Sequence, residues 1–214
     1  MLKFEKSMLS VEAIGSYTWG WVNERKNPSC LDYLRFAQND LSDGKSPRNL
    51  VNALGNAKRA LHLRMEDLCN AFGFPATNRE NKFPSLLEYA RDCGFASPRI
   101  LRKINTLRNS VEHEYVVPDA GEVDNFVDVV ELFIAATDRW LTRQPSDFDY
   151  FLEHQTGGLT FYIVHFYFHW TSATVTIQYT QERSSSPRDR KVINIGPASP
   201  DFFECVRFAI ENDD

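Results

Sequence analysis

The stretch "GGLTFYIVHFYFHW", Gly157 to Trp170, decides how the second half of this chain is read. Its apolar run, Phe161 to Trp170, is ten residues long and interrupted by His165 and His169. A membrane-spanning helix needs roughly 20 apolar residues, so a membrane role is excluded here. β-Branched and aromatic residues dominate the run and favour a strand. "SATVTIQYT" (172–180) has the same character, "VINIG" (192–196) reads as a third strand, and "SSSPRDRK" (184–191) is a loop before it. "SPDFFECVRFAI" (199–210) reads as a final helix. His165 and His169 share a strand face by parity but lie about 13 Å apart if extended. One metal ion cannot take both from a straight strand, so no metal site is predicted.

Working back from Pro145, the period becomes helical. Ser29 can cap a helix carrying Leu31, Leu34, Phe36 and Leu41. Ser46 and Pro47 then open the best helix, which runs toward Gly73. Its stripe is Leu50, Leu54, Ala57, Leu61, Met65 and Leu68, widened by Val51 and Cys69. Gly55 inside it costs roughly 1 kcal/mol against alanine, which close helix contact would offset. "FPSLLEYARDCGF" (83–95) is a shorter helix with Pro84 early and Gly94 at its end. "SPRILRKINTLRNSVEHEY" (97–115) places Ile100, Ile104, Leu107 and Val111 on one face. The next helix, from about Glu122 to Trp140, turns Val123, Phe126, Val127, Val130, Phe133, Ile134 and Thr137 inward.

The fold class expected is therefore mostly α: a helical bundle over 29–143, with a small C-terminal β-rich appendage over 144–214, α+β overall. Residues 1–28 mix aromatic, β-branched and glycine residues, and read as a strand, a hairpin or an arm. Two arrangements of the β-rich region fit the sequence: a separate domain, or a sheet that closes on residues 1–28.

A net charge of −5 leaves no global positive field to advertise nucleic-acid binding. Cys30, Cys69, Cys93 and Cys205 are scattered, and no CxxC pair exists to suggest structural zinc. With no secretory leader pattern at the start, a cytoplasmic, reducing setting is the expectation.

The chemistry concentrates in "LRNSVEHEY", Leu107 to Tyr115. Asn109 and His113 are an i,i+4 pair on one helix face, and Arg108 and Glu112 form a second pair beside it. Arg108 and His113 differ by about 140° and about 7.5 Å of rise, a gap that a long guanidinium can close. Arginine suits bidentate phosphate binding, and histidine exchanges a proton near neutral pH. Two readings follow from the residues alone. One is a helix-end salt bridge between Arg108 and Glu112, with His113 at a favourable dipole position. The other is a site that cleaves a phosphodiester through the ribose 2′-hydroxyl without metal or cofactor.

The set Arg108, Asn109, His113 and Tyr115 resembles the R-x4-H-x-Y motif of the HEPN superfamily (higher eukaryotes and prokaryotes nucleotide-binding), lying between long helices over about 29–143. The resemblance implies a metal-independent endoribonuclease of the toxin or antiviral-defence kind. It also implies a homodimer whose facing motifs make one composite cleft on RNA. In it Arg108 would stabilise the scissile phosphate, His113 would serve acid–base chemistry and Asn109 would position its partners, with Glu112 and Tyr115 supporting. In some toxin pairs a nucleotidyltransferase antitoxin modifies the tyrosine matching Tyr115. The alternative within the family is a non-catalytic dimer that binds a nucleotide or a protein partner. Arg99, Arg102 and Lys103 precede Arg108 with no acid between Pro98 and Arg108, which makes a candidate RNA track. Asp119, Glu122, Asp124 and Asp128 follow, either to cap the next helix or to confine RNA to one side. Minimal toxins of this family lack the β-rich tail. There Tyr162, Phe166, Phe168, Trp170 and Tyr179, with Arg183, Arg188, Arg190 and Lys191, read as a stacking surface for single-stranded nucleic acid or, more simply, as sheet core with a charged loop.

Overall fold

The computed structural model describes residues 2–22, 27–95, 99, 106, 117–183 and 186–212. Local capping sets the helices. The helix α1 (Cys30–Ser42) opens on a capping box, Ser29 accepting from the Asp32 N–H and Asp32 from the Ser29 N–H. The helix α2 (Pro47–Ala71) starts at Ser46 with proline at its first position, and α3 (Phe83–Cys93) ends at Gly94. Among the described residues two further helices, α4 (Ala120–Thr137) and α5 (Arg139–Thr142), join the helical layer, in which α2 packs on α1, α3 and α4. All seven inward residues expected of α4 are buried. Val51 is a correction: it is 53% exposed and does not widen the α2 stripe. Arg64, fully buried on α2, reaches Asp138 between α4 and α5 at 3.2 Å.

The strands revise the fold class. β1 (Ile14–Gly20), β2 (Gln144–Thr156), β3 (Leu159–His169), β4 (Thr174–Thr180) and β5 (Lys191–Ile195) form one antiparallel sheet in the order β1-β2-β3-β4-β5. The chain is thus α+β with a five-stranded antiparallel sheet, and not a mostly-α bundle with a small appendage. The expectation undercounted the sheet for two physical reasons. β2, at 13 residues the longest strand, carries Pro145, Asp147 and Asp149, which disguise its inward Phe148 and Tyr150. β1 is recruited from the N-terminal segment by pairing across the whole helical layer, Tyr17 opposite Phe148. The β2–β3 hairpin turns on Gly157 and Gly158, both at positive φ, as a two-residue turn demands.

A final helix, α6 (Pro200–Glu211), lies between the two layers. Toward the sheet, Phe208 meets Phe148 and the Tyr17 hydroxyl donates to the Ala209 carbonyl at 2.7 Å. Toward the helices, Phe203 packs edge-on against Tyr89 of α3, and Arg207 donates to the Asp92 carbonyl. The buried apolar residues of helices and strands form one continuous core. A second joint lies at the end of α2, where Gly73 takes φ 98. A Cβ there would sit 2.8 Å from the Ala173 Cβ and 3.1 Å from the Trp170 carbonyl oxygen. Among the described residues no helix is long and apolar enough to cross a membrane.

The N-terminal segment is strapped across this core. Leu2 and Met8 are buried, and the buried Tyr150 hydroxyl donates to the Met8 carbonyl and accepts from the Ser10 N–H. Burial pushes the Tyr150 phenol up to about 12. Glu5 accepts from the Thr156 hydroxyl (3.0 Å) and faces His154, while Lys6 pairs with Glu204 at 3.0 Å.

Two predictions follow from these contacts. At Gly55 an added Cβ meets only the Arg59 guanidinium, at 3.6 Å among the described residues, so the expected close helix contact is absent. Gly55→Ala should raise stability by about 1 kcal/mol, roughly 2–4 °C in melting temperature. Gly73→Ala should lower it by about 2 kcal/mol or more, since it combines a left-handed backbone with a clash; thermal melts of both variants check this. The second concerns pH. Hydrogen bonds from Thr156 and then His154 hold the Glu5 carboxyl below its ordinary 4.5, and those from Lys6 and Arg207 do the same for Glu204. Both contributions are present above that pH and are lost as pH falls through the lower folded values. Residues 5–9 should therefore lose their amide protection on acidification before β2 and β3 do, and Glu5→Gln with Glu204→Gln should abolish that pH dependence in hydrogen exchange.

Candidate functional site

Of the residues expected at the site, Arg99 is helical and exposed. Arg102, Lys103, Arg108, Asn109, Glu112, His113 and Tyr115 lie outside the described residues. Their flanks are described. The connection that carries them leaves α3 at Gly94 and enters α4 through Asp119, whose carboxylate accepts from the Gly121 N–H (2.8 Å) and the Glu122 N–H (3.1 Å). Asp119 is thus a helix cap, and Asp124 is held by Lys45 at 2.6 Å. Of that acidic run, Asp119 takes the capping role, and Asp124 pairs with Lys45 instead.

On α2, the helix on which both flanking helices pack, Lys58, Arg59 and His62 open a groove of about 340 Å³ beside Tyr33 of α1. The Arg59 guanidinium lies 5.9 Å over the Tyr33 ring, and the His62 ring meets Phe83 edge-on at 5.6 Å. The His62 Nε2 is 3.6 Å from Glu66. This cationic groove was not singled out from sequence. Its signal, K-R-x-x-H on one helical turn, is spread over a helix that reads first as core.

Backbone irregularities set which way the β3 side chains turn on the outward face of the sheet. The strand registers shift between Asp149 and Leu152 in β2 and between Ile163 and His165 in β3. Such bulges re-aim side chains, and here His165 faces Asp147 and Asp149. Its Nδ1 is 2.8 Å from Asp149 and its Nε2 3.2 Å from Asp147. Ser16 donates to Asp149 at 2.7 Å and Thr18 to Asp147 at 3.4 Å, so the network spans β1, β2 and β3. With a carboxylate at each nitrogen, neither is left to face a substrate; His165 is a cross-strand brace. His165, Tyr167 and His169 do share the outer face, their rings stacked at 4.0 and 6.4 Å. Among the described residues no three His, Cys, Asp or Glu side chains gather to hold a metal ion.

The suggested aromatic platform is divided. Phe166, Phe168 and Tyr179 are buried in the core, whereas Tyr162 lines an outer cleft of about 590 Å³ with Arg183 and Arg190. Arg190 donates to Gln178 at 3.0 Å. All four cysteines are free and buried, and burial raises the thiols of Cys69, Cys93 and Cys205, which removes them as nucleophiles. No family model matches this chain, and no curated protein or solved structure matches it either.

With His165 as a brace, His165→Ala should cost about 1 kcal/mol or less in urea unfolding, because Asp147 and Asp149 are partly exposed and keep their Thr18 and Ser16 hydroxyl partners. His165→Gln should recover part of that loss through its amide.

Proposed function

We propose that this chain is a metal-independent endoribonuclease of the HEPN type, a toxin or antiviral-defence effector that works as a homodimer on RNA. The observation that carries the reading is the combined set Arg108, Asn109, His113 and Tyr115 in the connection between α3 and α4. In this scheme His113 takes the proton of the ribose 2′-hydroxyl as its oxygen attacks the adjacent phosphorus, and a proton is returned through His113 to the departing 5′-oxygen. The P–O5′ bond breaks, leaving a 2′,3′-cyclic phosphate and a 5′-hydroxyl end. Arg108 stabilises the charge that accumulates on the phosphate oxygens, and Asn109 orients its neighbours. Glu112 and Tyr115 support the set. Arg99 is exposed, and Lys58 and Arg59 line a groove on α2, in keeping with an anionic substrate.

The test is digestion of several single-stranded and stem-loop RNAs by the purified chain in the presence of a chelator. Wild type should cut, with Arg108→Ala and His113→Ala each slowed by roughly a hundredfold or more. Cyclic-phosphate ends should be found on the products. Equal cleavage by all three proteins, or none by wild type on any RNA, rejects the reading.

A further inference from the structure

We infer that the solvent-facing side of the sheet is a second RNA surface, on which one unpaired base enters the gap between the Tyr167 and His169 rings. The inference rests on RNA as the ligand, the class named by the ribonuclease reading, but uses no residue of 108–115. The strand registers set one row straight across all five strands: Thr18, Asp147, Tyr167, Thr176 and Asn194. On β3, the middle strand, His165, Tyr167 and His169 share that face by parity. Their rings stand near parallel, but not evenly spaced. His165 and Tyr167 are closed on each other at 4.0 Å and 24°, whereas Tyr167 and His169 stay 6.4 Å apart at 20°. The wider spacing is the repeat of the strand itself, about 6.6 Å per two residues. A flat ring touching both neighbours needs about 7 Å between them, so a shift of about half an ångström admits one.

Hydrogen bonds orient both walls of the gap. His165, held by Asp147 and Asp149, backs Tyr167 on one side. Beyond the gap, Thr176 donates to the Asn194 Oδ1 at 2.9 Å, so its hydroxyl oxygen accepts from the His169 Nε2–H at 3.1 Å. His169 is exposed, and the small shift falls on it. Charge decides what the ring belongs to. The acidic pair lies on the β2 side of the gap, engaged by His165, Ser16 and Thr18. On the β5 side the exposed Arg190 gives one N–H to Gln178 at 3.0 Å. That bond holds its guanidinium beside the row of His165 and Gln178, next to the row of Tyr167, with further N–H groups to meet a phosphate. A flat ring with an anion close by is a nucleotide, and every base has a face to stack. A base already stacked and paired in a duplex cannot enter the gap, so the ligand is single-stranded RNA.

The experiment titrates the full chain with non-cleavable (2′-O-methyl) hexanucleotides of A, C or U, with a hairpin duplex, and with AMP and UMP. The readouts are fluorescence anisotropy of labelled strands and the Tyr167 and His169 ring signals in NMR. The three strands should bind within about threefold of one another and move both ring signals upfield, and the duplex should bind about tenfold more weakly or worse. Tyr167→Leu should weaken strand binding by roughly tenfold, whereas Tyr167→Phe, which keeps the ring, should not. Arg190→Gln should weaken all strands alike and lower the salt dependence by about one phosphate contact. Circular dichroism reports that each variant folds. Unchanged affinity in Tyr167→Leu, equal binding of the duplex, or a mononucleotide bound as tightly as a strand overturns the inference. So does the absence of any ring shift at millimolar strand. RNA cleavage without these ring shifts rejects this surface alone, and ring shifts without cleavage reject only the ribonuclease reading.

Discussion

The structure depends on a helix that is apolar on two sides. α6 buries Phe202, Cys205, Val206, Ala209 and Ile210 almost completely, and no single layer could cover them all. Burying each large side chain is worth about 1.5–3 kcal/mol, so the helix favours contact with both the sheet and α3. Its Phe208 and Phe203 face opposite partners, Phe148 and Tyr89. Arg207 adds directional bonds, to the Asp92 carbonyl and to Glu204, that set how α6 lies against α3. Among the described residues the helical layer and the sheet consequently share one core.

The outer faces of the two layers differ chemically. The helical side presents a groove lined by Lys58, Arg59, His62 and Glu66. The sheet side braces acidic residues with His165 and has Arg183 and Arg190 at its rim. At the junction lies a cleft of about 580 Å³ with Trp21 and Trp170 in its walls. An acidic protein that keeps its cations in patches can engage a polyanion locally without a global field.

What could be read from the sequence was what is encoded locally. Ser29 and Ser46 announce their helices because a cap needs only the next three residues, and the inward face of α4 follows from 3.6-residue spacing alone. The sheet was less legible. β1 and β2 become neighbours only through pairing over a long separation, and a proline with two aspartates conceals β2. His165 could be assigned to a strand face, but not to its two carboxylates, because two register shifts decide what lies opposite it. The Arg108–His113 motif is local and therefore visible. The tryptophan cleft draws on residues 21, 67–75, 144 and 170–171, which no spacing rule connects.

The Ser16–Asp149 contact joins residues 133 apart in sequence. Bringing such distant segments together carries a loop-closure cost before any contact repays it. The helical hairpin α1–α2 and the β2–β3 hairpin have no such delay. β1 is thus the strand whose docking waits longest in refolding, and until it arrives the edge of β2 is an open template for another strand. The hydroxyls of Ser16 and Thr18, reaching the carboxylates of β2, help to keep that edge closed in the finished fold.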